Sequence, residues 1–257
     1  MSWYLFIAVI AAGFGAGFIN TLAGSGSLIT LPLLIFLGLP ATDANGTNRI
    51  GVLFQTLVST ESFRSSQVLD MRGGLILSVP AVIGALVGAQ IAVNLNETVM
   101  RRTIGVLMLV MLVVILVRPN RWLAGKSGVL AEIPGAGQMF LLFLVGIYGG
   151  FIQAGVGIFL LASLVLGVGY DLVRANAVKT LIVLCFTIFA LAVFIYNDQV
   201  RWLFGILLAI GNALGGWVAA RVAVERGADF VRWLLIGVIL ISAAQLLGLF
   251  TFISQLF

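Results

Sequence analysis

The chain has 257 residues, 61% of them apolar and only 9% charged, with 14 Lys and Arg against 9 Asp and Glu for a net charge of +5. An ordinary soluble domain carries about a quarter charged residues, so this composition, with a mean hydropathy of +1.20, excludes a soluble fold and indicates an integral membrane protein. The chain has no histidine, which excludes a histidine metal site, triad or proton relay, and its basic residues lie in short loops, where they report orientation rather than nucleic-acid binding.

The N-terminal MSWYLFIAVIAAGFGAGF lacks a basic n-region, so it reads as a first membrane helix over about 3–20 and not as a cleavable signal peptide. A glycine-rich break, AGSGS, follows, then a short apolar piece (27–38) and a second break, GLPATDANG. Helices are expected over about 46–62, 73–93 and 98–117. Apolar runs at Gly73–Val93, Thr103–Val117, Thr180–Tyr196, Trp202–Ala220 and Trp233–Phe257 are each long enough, or nearly so, to cross ~30 Å of hydrocarbon. No alternating barrel pattern is present, so the expected fold is an all-α polytopic membrane protein of about 8–10 full-length or half-length helices. Trp3, Trp122, Trp202 and Trp233 sit near expected helix ends as interfacial anchors. The single cysteine, Cys185, lies mid-span and reads as a core residue.

The second half repeats the first. GFI at Gly17 recurs at Gly150, a spacing of 133. At a spacing of 131, Ala23 and Gly24 pair with Ala154 and Gly155, Gly26 with Gly157, Gly38 with Gly169, and Ala44 and Asn45 with Ala175 and Asn176. Weaker pairs follow, Gly84 and Gly88 with Gly211 and Gly215 among them. The polar, proline-containing stretch 118–138 therefore reads as an exposed linker between a repeat over 1–117 and a repeat over 139–257. Internal duplication is a recurrent design of secondary transporters.

If the short piece completes one broken crossing, each half has four crossings and the repeats are parallel. If it makes its own passage, each half has five and they are inverted. Leaving out Arg49 and Lys179, the first reading divides Lys and Arg six against six, and the second nine against three. Positive charge accumulates on the cytoplasmic side, which favours inverted repeats with both termini outside. A re-entrant short piece would change that count.

Glycine-rich breaks free backbone groups that hydrocarbon cannot satisfy, so they belong where backbone is buried in protein or lines a watery cavity. Free N–H groups at a helix start favour an anion. In AGSGS, Gly24 and Gly26 supply backbone donors, and Ser25 and Ser27 add hydroxyls and are expected to cap the following helix. Gly155 and Gly157 of AGVGI are the counterparts, and the two starts are expected to face each other around one small anion. Asn45 and Asn176 are expected to cap the next helices. Asn20, Gln153, Asn45, Asn48 and Asn176 would orient the anion, and Arg49 and Lys179 would balance its charge. Each of these has a plainer reading. Asn20 and Gln153 could be interhelical hydrogen-bond partners, and Arg49 and Lys179 interface anchors. Gly13–Gly17, Gly84–Gly88 and Gly211–Gly215 read as close helix packing. Glu61 reads as a solvated helix-end acid rather than the carrier of a coupling proton.

GFINTLAGSGSLITLPLL, the following A-N-G-T-N-R and the second copy GFIQAGVGIFLLASL…RANAVKT resemble the sulfite exporter (TauE/SafE) family of membrane permeases, also called the toluenesulfonate uptake permease family, over essentially the whole chain. The resemblance implies a secondary carrier, not an enzyme and without a cofactor, in the bacterial inner membrane. Its substrate would be a small anion such as sulfite, sulfoacetate, another sulfonate or a related organic acid. A coupling proton or sodium ion and the lipid bilayer are its expected partners. The family is usually described with about eight spans from a four-span duplication, which departs from the charge count. Val156 and Ile158 replace the serines of the first copy, so the site would be asymmetric. An anion channel is the rival reading. A membrane-embedded assembly subunit or enzyme finds little support, because the chain has no metal-ligand cluster or nucleophile elbow.

Overall fold

A computed structural model describes the backbone of residues 3–117 and 135–246, with side-chain detail for 5–110, 113 and 135–226. These residues form nine α-helices: α1 (Trp3–Ala23), α2 (Ser27–Phe36), α3 (Ala41–Ser65), α4 (Met71–Val93), α5 (Glu97–Val117), α6 (Ala136–Phe151), α7 (Val156–Ala162), α8 (Leu172–Tyr196) and α9 (Trp202–Leu246). A π-helical stretch, Ser163–Val168, continues α7. Leu5–Ala23, Met71–Val93, Leu172–Tyr196 and Trp202–Arg226 are apolar and long enough to cross a membrane.

Three boundaries depart from expectation. α3 starts at Ala41 and not near 46, because Pro40 stands at its N-cap with extended backbone and Asp43 supplies a negative charge to the first turn. Asn45 is therefore inside the helix and does not cap it. Trp202–Leu246 is one backbone helix, although separate helices were expected over 202–220 and 233–257; no proline interrupts it. Residues 136–138 of the expected linker are helical, while 118–134, with Trp122, lie outside the described residues, as does the side chain of Trp233.

Hydrogen bonds and packing set the direction of each helix. At one face of the bundle the Arg201 guanidinium pairs with Asp43 at 2.6 Å, Arg201 N–H donates to Thr47 Oγ1, and Gln199 Nε2 donates to the Val93 carbonyl. Glu97 Oε2 accepts from Thr42 N there too. At the opposite face, the Tyr170 hydroxyl donates to Asp70 Oδ2 at 2.6 Å, and Asp70 caps α4 by accepting from Gly73 N. α3 and α9 thus start at the first face, and α4 and α8 at the second. Val9 packs with Leu34, Leu39 and Ala44 near the first face, so α1 and α2 form a hairpin that enters and returns there. Gln138 bonds to Ser163, so α6 and α7 make a hairpin from the second face.

The helix pairs repeat under exchange of the two halves. α1 packs along α9 and α6 along α4, while α3 and α8 lie against each other in the centre and against α9 and α4 respectively. Small residues permit this closeness. A Cβ on Gly84 or Gly88 would meet the carbonyl of Phe143 or Ile147 on α6, and one on Gly211 or Gly215 that of Ile10 or Phe14 on α1. The opposite faces of α4 and α9 expose Val79, Ile83, Ile206 and Ile210, as lipid-facing surfaces require.

The Glu97 carboxyl lies below its ordinary range. Burial pushes it up, but the N–H groups of Ala41 and Thr42 and the Arg101 side chain outweigh burial. A carboxyl held low in the fold contributes stability that is present above its unfolded value of ~4.3 and lost as pH falls through the lowered value. Glu97→Gln is therefore expected to lower the melting temperature at neutral pH, with the difference from the parent shrinking below about pH 4. Thermal melts in detergent across that range check this; a pH-independent difference would rule out the carboxylate charge as its cause.

Candidate functional site

The two glycine-rich breaks meet in the middle of the fold. Gly157 N–H donates to the Gly24 carbonyl at 3.2 Å. A Cβ on Gly24 would lie 2.2 Å from the Gly157 Cα, and one on Gly157 would lie 2.3 Å from the Gly24 Cα. Only glycine on both sides permits this crossing, and Gly24 also has a φ of 73°, which glycine adopts without strain. Beside the crossing is an enclosed cavity of about 10 Å³, room for one water. Asn20, Gln55, Thr56, Gln153, Lys179 and Thr180 are its polar walls.

Ending a helix inside the membrane leaves its last carbonyls without partners. The last four of α6 are all answered. The Tyr148 carbonyl accepts from Ile152 N. The Gly149 and Gly150 carbonyls accept from Arg49 Nη1 at 3.2 Å and Nη2 at 2.5 Å, and the Phe151 carbonyl accepts from Asn45 Nδ2 at 2.8 Å. The Arg49 guanidinium also lies 4.5 Å from the centre of the Phe194 ring. At the end of α1, Lys179 Nζ donates to the Asn20 carbonyl at 3.2 Å, the Thr21 carbonyl at 2.6 Å and Asn176 Oδ1 at 2.8 Å. Each half thus sends one fully buried cation across to the broken helix of the other. The C-terminal end of a helix carries partial negative charge, which favours a cation there. Both cations are engaged with carbonyl groups deep in the fold, an arrangement that an anchor at the membrane interface does not describe.

Of the expected site residues, Asn20, Gly24, Gln153, Gly157 and Lys179 border the cavity. Ser25, Ser27 and Asn48 do not. Ser27 Oγ accepts from Asn48 Nδ2, and Asn48 Oδ1 accepts from Thr30, forming a separate buried cluster between α2 and α3. Neither serine caps α2; Gly26 holds the cap position without any side-chain hydrogen bond, pressed against Ala16 O. Gly155, with a φ of 76°, begins α7. Asn176 serves as the acceptor that holds Lys179 and does not cap α8, whose cap is Asp171. Glu61 is exposed and faces Arg64 at 3.6 Å, as a solvated helix-end acid does. Cys185 is half-buried on α8 rather than in the core.

Sequence reasoning missed Gln55, which accepts from Asn20 Nδ2 and donates to Thr21 Oγ1, both at 2.7 Å. The signal was present: Asn48, Gln55, Ser59 and Ser62 step by seven, four and three residues along one face of a membrane helix. Thr187, the acceptor for Gln153 Nε2 at 2.6 Å, carries no comparable pattern. At the second face, a groove of about 770 Å³ opens between α3, α8 and α9, rimmed by Glu61, Arg221 and Glu225.

Exposed apolar helix faces and two opposed broken-helix hairpins that meet beside a small polar cavity mark a polytopic membrane protein. The chain matches the family "Sulfite exporter TauE/SafE" over residues 9–246. It belongs to that family. It is similar to "Probable membrane transporter protein ORF9" of Sinorhizobium sp, with 27% identity over 96% of this chain and 94% of that protein. It is also similar to "Probable membrane transporter protein YfcA" of Escherichia coli K12, with 25% identity over 90% of this chain and 86% of that protein. A "Probable membrane transporter protein" of Haemophilus influenzae is 24% identical over 89% of each. No solved structure matches.

Proposed function

We propose that this membrane transporter is a secondary carrier of a small anion of the sulfite or sulfonate class, binding it where the two helix breaks cross. The observation that carries the reading is the enclosed polar cavity at the Gly24–Gly157 contact, walled by Asn20, Gln55, Gln153 and Lys179. The cavity is too small for a sulfite ion, so the breaks must separate for binding, and a closed centre of this kind favours a carrier over an open channel. The two halves, 1–117 and 139–257, act as inverted repeats that rock against each other. Their opposed hairpins and exchanged helix pairs support that assignment. Arg64, Arg72, Arg174 and Arg221 gather at the second face, which makes it the cytoplasmic one and its groove the inner vestibule. In a bacterium the inner membrane is the matching location.

The test is uptake of radiolabelled sulfite into proteoliposomes, with unlabelled sulfoacetate, sulfate and acetate as competitors. Saturable uptake blocked by a sulfur anion is expected; no uptake of any anion by folded protein would end the substrate assignment. Gln153→Leu should reduce uptake roughly tenfold or more at equal protein in the membrane, because a hydrogen bond to a charged group contributes about 1.5–3 kcal/mol. Parental uptake in that variant would move the site away from the cavity.

A further inference from the structure

We infer that Lys179 is the proton-carrying residue of this carrier, and that its proton ties the broken end of α1 to α8, while Arg49 ties α6 to α3 permanently. The inference rests on the carrier reading above for its consequence in transport, but the tie itself stands on hydrogen bonds independent of any substrate.

Lys179 is 2% exposed, and its ammonium has three N–H groups and three acceptors, two of them carbonyls at the end of α1. A neutral amine has two N–H groups and a lone pair. Losing the proton therefore leaves Lys179 one N–H short of its three acceptors, of which only the Asn20 carbonyl has another donor among the described residues, Gly24 N–H at 2.8 Å. Arg49 occupies the equivalent place in the other half, yet a guanidinium stays protonated in proteins. Of these two buried cations only Lys179 borders the cavity at the crossing. In that cavity Gln153 Oε1, on a side chain 1% exposed, has no hydrogen-bond partner. Asn176 Nδ2, on the residue that holds the ammonium, is also unpartnered. Fully buried polar atoms rarely stay so unless a further group meets them in the working protein.

No carboxylate answers the ammonium among the described residues. α3 brings Asp43, paired with Arg201, Arg49, spent on α6, and Glu61, exposed beside Arg64. α6 brings Tyr148, whose hydroxyl donates to the Ala154 carbonyl. α4 brings Arg72, and α9 brings Arg221, Glu225 and Arg226, all exposed. The described parts of α1, α7 and the π-helical stretch carry no titratable side chain. Asp171 and Arg174 lie exposed at the start of α8, with Cys185 further along it. An anion entering the cavity is thus the natural counter-charge for Lys179. Nζ takes one proton from hydronium at the face where the anion enters, an N–H bond replacing an O–H bond and leaving water, and returns it to water as hydronium at the face where the anion leaves. The end of α6, held to α3 by arginine, stays in place while the end of α1 is released.

Hydrogen exchange on the purified full-length protein tests the tie. The ratio of exchange in the first break (residues 21–28) to that in the second (152–158) removes the common pH dependence of amide chemistry. We expect this ratio to be about tenfold higher in the parent protein at a pH where Lys179 is neutral than at one where it is charged. It should stay flat in Lys179→Arg, while Arg49→Lys should make the second break pH-sensitive as well. A flat ratio in the parent, or a parental rise in Lys179→Arg, would overturn the tie; should Lys179→Arg not fold, an unchanged second break in Arg49→Lys would overturn it too. In proteoliposomes, a proton gradient should speed sulfite uptake by the parent and not by Lys179→Arg. Gradient-driven uptake by Lys179→Arg would overturn the coupling role. Absence of sulfite uptake in the parent would instead end the substrate reading, with the exchange ratio still deciding the tie.

Discussion

Gly157→Ala is expected to lower the melting temperature by roughly 6–12 °C in detergent, from about 3 kcal/mol of overpacking at about 2–4 °C per kcal/mol. The added methyl would sit 2.3 Å from the Gly24 Cα, a backbone atom that cannot rotate away. Separating the two breaks far enough to admit it also breaks the Gly157 N–H bond to the Gly24 carbonyl. The cost places this change at the upper end of the usual range for extra core volume. Gly105→Ala is the control, because a Cβ there meets open space. That exposed helical position should be neutral or slightly stabilised, as alanine is the better helix former by about 1 kcal/mol. If both variants melt alike, the close crossing is not a feature of the working fold.

Arg49→Met is expected to cost a similar amount of stability and to abolish uptake. Methionine fills much of the same volume but leaves the Gly149 and Gly150 carbonyls without donors. Each unsatisfied buried group costs about 1–3 kcal/mol, and the contact with the Phe194 ring is lost as well. Relief from burying a cation offsets part of this. The end of α6 should loosen first, so exchange protection at 149–152 should fall more than that of α4. Protection unchanged at α6 together with parental uptake would show that its carbonyls need no cap from α3.

Much of this architecture was legible as pattern. The membrane class follows from composition. Asn45, Arg49, Asn176 and Lys179 stood out because polar groups in a membrane segment are costly without a partner. The pairs Gly84–Gly88 and Gly211–Gly215 were read as packing, and the structure puts carbonyls of α6 and α1 against them. The start of α3 was not found because Asn45 and Gly46 look like a turn. Gly46 is there instead because the Gln199 carbonyl approaches where a Cβ would lie at 2.0 Å, a contact 153 residues away in the chain. Ser25 and Ser27 were grouped with the glycines beside them, yet neither borders the cavity, and at the start of the returning arm Ser27 bonds to Asn48 instead.

Composition and spacing alone place the chain in a membrane, mark two glycine-rich breaks in it, and single out polar residues that need a partner there. Hydropathy and residue spacing are local quantities, and they suffice for those conclusions. The identity of those partners follows from how the helices pack. The Thr21 carbonyl at the end of α1 and the Gly149 and Gly150 carbonyls at the end of α6 accept from the other half, where Lys179 and Arg49 reach across as donors. A carbonyl accepts from whatever donor the fold brings within about 3 Å, and no spacing along the chain records which one that is.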